Sequence, residues 1–117
     1  MVKTHKKNDR DRVIINFGSV ASTHSSSGMI NYGASKGGVL GMTLPLAREL
    51  GKFNIRVVCF TPGIFLTNMV DKLNQIALGR NGDSRELSQA VQGAIESSFL
   101  TGTFFHLDST IASPHHL

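Results

Sequence analysis

The chain has one tyrosine, Tyr32, and a lysine, Lys36, four positions after it. On a helix that spacing stacks both side chains on one face, with Cβ atoms about 5–6 Å apart. A neighbouring ammonium favours the phenolate and lowers a tyrosine pKa from its reference of about 10. The pair could therefore give and take a proton close to neutral pH. Ser19 stands thirteen residues before Tyr32. There its hydroxyl could hydrogen-bond an oxygen passing between carbonyl and alcohol. With six lysines in 117 residues the Tyr–Lys spacing is a weak signal by itself, and its weight comes from the surrounding elements.

Those elements alternate. Residues 12–17, RVIINF, form a short apolar run rich in β-branched residues, which predicts a strand buried on both faces, as in a parallel sheet. Residues 18–29 are small and polar and read as a loop. From Asn31 to Leu50 apolar residues recur mostly at spacings of three and four, predicting a helix with Gly51 as its stop. Pro45 falls inside it, where it must cost a hydrogen bond. Ile55–Phe60, IRVVCF, predicts a second buried strand that runs into Thr61-Pro62-Gly63. Residues 67–78 are expected to be helical, with GRNGD at 79–83 ending them. Residues 84–97 predict an amphipathic helix capped by Ser84, and Thr103–Leu107 a third strand. This order implies an α/β fold, a parallel sheet of about three strands with crossover helices.

Composition removes several alternatives. At 40% hydrophobic and 17% charged, 117 residues suit one domain with a modest core. Lone Cys59 allows no internal disulfide and no multi-cysteine zinc site; it reads as a buried, inert thiol. His115 and His116 are too few for a metal site, and no metal is expected. No apolar run approaches the roughly 20 residues of a membrane-spanning helix, and the N-terminus has no apolar signal region. An intracellular chain that is not membrane-bound is expected. Of the net charge of +4, residues 1–12 carry +3. The basicity thus belongs to a solvated tail without interleaved aromatics, which argues against a nucleic-acid partner.

The strings VIINFGSVAS and NYGASKGGVLGMTLPLAREL, followed by IRVVCFTPGIFLT, resemble the C-terminal half of the short-chain dehydrogenase/reductase family. Within it, GMTLPLAREL, PGIFLT and FLTGTFFHLD are most similar to the 3-hydroxyacyl-CoA dehydrogenase branch, which also acts on hydroxysteroids. The resemblance covers residues 12–108, leaving 1–11 as a basic flexible tail and 109–117 as a second tail. It implies a Rossmann-like, doubly wound parallel sheet. It implies catalytic roles for Ser19 (substrate orientation), Tyr32 (general acid/base) and Lys36. The cofactor is expected to be NAD, contacted by Asn16, Tyr32, Lys36, Pro62, Gly63, Phe65 and Thr67. The implied reaction is oxidation of a small-molecule secondary alcohol, and the branch implies a mitochondrial location, although no transit peptide is recognisable.

The chain also departs from the family pattern. It contains no strand, Gly-rich turn and helix of the kind that holds a dinucleotide pyrophosphate, and no acidic residue placed to select NAD. The family's tetrad asparagine has no counterpart. Residues 68–83 are shorter than the family's substrate-covering segment. The chain alone is therefore expected to be inactive, marginally stable, and homo-oligomeric or associated with a full-length relative. The alternative expectation is a non-catalytic remnant that serves as an association surface.

Overall fold

The computed structural model describes residues 11–63 and 77–109. Arg12–Phe17 forms β1, Ile30–Leu50 forms α1, Ile55–Pro62 forms β2, Ser84–Glu96 forms α2 and Thr103–Leu107 forms β3. The strands make one sheet in the order β1-β2-β3. Both pairings are parallel, with Phe17 opposite Phe60 and Thr61 opposite His106. The expected α/β class and Rossmann-like parallel sheet are the observed architecture.

The sheet is covered on both faces, because alternate residues of a strand point to opposite sides. On one face Val58 and Phe60 pack with Val13, Ile15, Phe105 and Leu107 beneath Leu87, Ala90, Val91 and Ala94 of α2. Three rings stack across the strands on this side, Phe17 to Phe60 at 6.0 Å and Phe60 to Phe105 at 4.9 Å between centroids. On the other face lies α1, whose buried residues are Thr43 and Ala47. The middle strand β2 is the core, with Ile55 through Thr61 all buried.

Arg56 is the exception within that apolar strand. It is 5% exposed. Its guanidinium meets the Asp11 carboxylate at 2.7 Å. It also donates to the Ala94, Ile95 and Leu100 carbonyls at 2.9, 2.8 and 3.1 Å. The last carbonyls of a helix have no partner within it and carry its negative dipole end, so a cation there answers both needs. Arg56 thereby fastens the C-terminus of α2 to the sheet.

Three expectations are corrected. The run RVIINF is not buried on both faces: among the described residues β1 pairs only with β2, as an edge strand, and its residues are half-buried or exposed. Gly51 does not stop α1 by turning left-handed; its backbone stays helical and leads into a 3₁₀ turn over Gly51–Phe53, and Asn54 takes the left-handed conformation at φ 55°. The cap of α2 is Asp83 rather than Ser84: its carboxylate accepts from the Arg85 amide at 2.8 Å, and Glu86 answers by accepting from the Asp83 amide at 2.8 Å. The expected loop at 18–29 contains one 3₁₀ turn, Val20–Ser22. The helix through Pro45 forms without interruption. The helix expected over 67–78 falls almost wholly outside the described residues.

Candidate functional site

In a parallel sheet the carboxyl ends of all strands lie along one edge, where α/β proteins bind ligands. Ser19 follows the end of β1, Pro62 and Gly63 end β2, and Tyr32 and Lys36 lie near the start of α1. The Lys36 ammonium donates to the Phe17 carbonyl at 3.0 Å and sits 6.0 Å from the centroid of the Tyr32 ring. Lysine and tyrosine are thus on one helix face, drawn against the end of β1. Tyr32 is 43% exposed.

Ser19 caps the 3₁₀ turn. Its Oγ accepts from the Ala21 amide at 3.1 Å, which leaves its hydroxyl hydrogen to be donated outward. Its own amide donates to Ser22 Oγ at 3.1 Å, and Ser22 Oγ in turn donates to the Lys36 carbonyl at 2.9 Å. The loop approaches α1 closely at Gly33, where a Cβ would come within 2.4 Å of Ser25 Oγ and displace that hydroxyl. A cavity of about 370 Å³ opens between the loop and the helix, lined by Ser22, Ser25, Ser27, Met29 and Ile30 among others.

The remaining expected residues divide. Asn16 turns its amide to Thr43 of α1, donating to Oγ1 at 3.3 Å. Pro62 and Gly63 stand where β2 leaves the sheet, and the Gly63 amide donates to the Leu107 carbonyl at 2.8 Å. A Cβ on Gly63 would lie 2.7 Å from Asp108 Cα, so only glycine fits. Phe65 and Thr67 lie outside the described residues. Sequence reasoning missed Ser22, Thr43 and the Thr61–His106 hydrogen bond that crosses from β2 to β3 beside Gly63. For Ser22 a signal existed in the Ser-x-x-Ser spacing of a capping box.

A family model described as short chain dehydrogenase matches residues 2–77. The chain belongs to the short-chain dehydrogenase family. It is 43% identical over 109 residues to 3-hydroxyacyl-CoA dehydrogenase type-2 of Bos taurus, covering 85% of this chain and 42% of that protein. It is 39% identical over 113 residues to a 3-oxoacyl-[acyl-carrier-protein] reductase of Bos taurus, over 92% of this chain and 47% of the relative. Among solved structures, 3-hydroxyacyl-CoA dehydrogenase type-2 from Mycobacterium avium superposes with a TM-score of 0.82 at 25% identity, over 90% of this chain and 44% of that one. A 4-hydroxyisoleucine dehydrogenase complexed with NADH superposes at 0.77 with 29% identity, over 83% and 44%. The chain therefore spans less than half the length of these short-chain dehydrogenases.

The donor set fits one end of a nicotinamide dinucleotide. An ammonium has three protons, and Lys36 uses one on Phe17, leaving others for a ribose diol. The pyrophosphate end finds no such fit at α2. There the carboxylate of Asp83 already accepts from the first-turn amide of Arg85, and that of Glu86 from the Asp83 amide. Glu86 is itself held down to about 2, first by the hydrogen bond from Arg80 and then by the Asp83 amide.

Proposed function

We propose that residues 12–108 form the catalytic half of an NAD-dependent oxidoreductase acting on a secondary alcohol of the 3-hydroxyacyl-CoA or hydroxysteroid type. What carries the reading is the contact of Lys36 with the end of β1, beneath the Tyr32 ring and two residues before Ser19. When bound, NAD+ supplies the acceptor for the hydride that leaves the carbinol carbon. The Ser19 hydroxyl, its oxygen already engaged by the Ala21 amide, donates to the substrate oxygen and orients it. Tyr32 Oη takes the hydroxyl proton in oxidation and returns it in reduction. Lys36 holds the nicotinamide ribose and keeps a positive charge beside the ring that handles the proton. Pro62 and Gly63 at the end of β2, with Phe65 and Thr67 beyond, border the nicotinamide, and Asn16 stiffens the floor through Thr43. In this reading the chain belongs with mitochondrial relatives of the branch.

Among the described residues no Gly-rich turn joins a strand to a helix for the pyrophosphate, so turnover is expected only in the presence of a half that supplies one. The test is titration of NADH into the folded chain, followed by nucleotide fluorescence. Saturable binding that weakens at least tenfold in Lys36→Ala, with Tyr32→Phe binding normally but supporting no turnover, is the expected result. Absence of binding up to millimolar NADH, with and without the complementing half, refutes it.

A second reading, an association surface, has its own observation. Only Thr43 and Ala47 of the 21 residues of α1 are buried, and Ile30 and Met42 on it are 82% and 46% exposed. A concentration-dependent mass in sedimentation, abolished by Met42→Glu, would favour it.

A further inference from the structure

Ser22 lies outside the set of residues assigned to the chemistry, yet its hydroxyl joins the two segments that carry it. One oxygen accepts from the Ser19 amide at 3.1 Å and donates to the Lys36 carbonyl at 2.9 Å. The return link runs from the Lys36 ammonium to the Phe17 carbonyl at 3.0 Å. Lys36 is therefore gripped at both ends by one short stretch, residues 17–22, through its backbone oxygen and through its side chain. The rest of that stretch is held by its own cap: the Ser22 amide donates to the Ser19 carbonyl at 2.8 Å, and Ser19 Oγ accepts from Ala21.

We propose that Ser22 is a positioning residue, whose hydroxyl fixes the Ser19 turn against the helix that carries Tyr32 and Lys36. The inference rests on the catalytic reading above. Its logic is geometric. Ser19 and Tyr32 must reach the same substrate oxygen, but they belong to different elements, a single 3₁₀ turn and a long helix. A 3₁₀ turn of three residues has little rigidity of its own. The Ser22–Lys36 bond spans 14 residues and is the side-chain tie between this turn and the backbone of α1 at Lys36. Substituting alanine removes the tie and leaves the helix intact, since helix α1 is formed by its own backbone bonds. Ser19 would then lose its register against Tyr32, and a misplacement of about 1 Å at a reacting group costs on the order of a hundredfold in rate.

The test compares the full-length chain with Ser22→Ala and Ser22→Thr, reading amide and ammonium hydrogen exchange by heteronuclear NMR and, separately, turnover. In Ser22→Ala the Ser19 amide and the Lys36 ammonium are expected to exchange at least about tenfold faster, while the β2 core amides of Val57 and Val58 keep their protection. Ser22→Thr, which retains the hydroxyl, restores both. Unchanged exchange at Ser19 and Lys36, or a loss spread equally over Val57 and Val58, overturns the proposal. With a 3-hydroxyacyl-CoA as probe and the complementing half present, kcat is expected to fall about ten- to a hundredfold with KM within about twofold. An unchanged kcat also overturns it. If the wild-type chain neither binds NADH nor turns over, the catalytic reading fails by itself, and the exchange measurement still decides whether Ser22 holds the turn.

Discussion

Replacing Arg56 with alanine should damage the fold severely. Its side chain is 6% exposed and serves four partners: the Asp11 carboxylate and the carbonyls of Ala94, Ile95 and Leu100. Alanine leaves two carbonyls at the end of α2, those of Ala94 and Ile95, and the Leu100 carbonyl beyond it without this donor. Removing one partner of a buried charged network costs about 3–5 kcal/mol. The Asp11 side chain is 32% exposed and can regain water, so the carbonyls carry most of that figure. A domain of this size has roughly 5–15 kcal/mol to lose, and a urea slope of about 1–3 kcal/mol/M converts the loss into a midpoint lower by about 1–5 M. Urea unfolding followed by far-ultraviolet circular dichroism reads it directly. Asp11→Asn removes the counter-ion of a guanidinium that stays buried and should itself cost about 3 kcal/mol. Arg56→Ala should then cost less in an Asp11→Asn background than in the wild type, the remainder being the share of the carbonyls. A total cost below about 1 kcal/mol, or one that vanishes in that background, would show that the carbonyls do not depend on Arg56.

Other consequences can be checked with similar means. Gly63→Ala drives a Cβ to 2.7 and 2.8 Å from Asp108 Cα and Cβ, which are chain atoms that cannot swing aside. Overpacking of this kind costs about 1–3 kcal/mol, and because it strikes the site edge, NADH binding should weaken along with the urea midpoint. Glu86 has its pKa lowered from 4.5 to about 2 by Arg80 and the Asp83 amide, so its contribution is complete above pH 4.5 and is lost as pH falls towards 2. The thermal midpoint should therefore drop across that window, and Glu86→Gln should flatten the drop. Asp83 is lowered in the same sense, chiefly by the Arg85 amide, so some slope should persist in Glu86→Gln. A midpoint in Glu86→Gln that follows acid as steeply as the wild type would contradict the assignment.

The strands were legible because their signal is local. IRVVCF is apolar at nearly every position, and the structure buries all of Ile55 through Thr61. RVIINF carries the same local signal but sits at the edge of the sheet, half-covered, because burial depends on how many neighbours a strand has. The ends of the helices were misread for a related reason. Gly51 does follow the last residue of α1 but stays helical, so that Asn54 makes the left-handed turn after the 3₁₀ segment, and Asp83 rather than Ser84 caps α2, since a cap is decided by which backbone turns and which carboxylate reaches an amide.

The site divides along the same line. The Tyr32–Lys36 spacing became meaningful once a helix and a strand flanked it, and both elements are present where the periodicity put them. Family membership was likewise written in contiguous strings. Partners that lie far along the chain were not legible. Arg56 finds Ala94 and Ile95 across 38 and 39 residues, Thr61 finds His106 across 45, and Asn16 finds Thr43 across 27. Composition and periodicity report what a side chain is and which way its element faces. The sequence by itself thus determined the elements, their parallel order and the chemical kind of the candidate groups, because those depend on neighbours a few positions away. Only the tertiary structure decided that Ser22 joins Ser19 to Lys36, that an arginine belongs inside an apolar strand, and that Gly63 must have no side chain. Each of those rests on a directional contact between segments that meet only when the sheet and its helices have closed on one another.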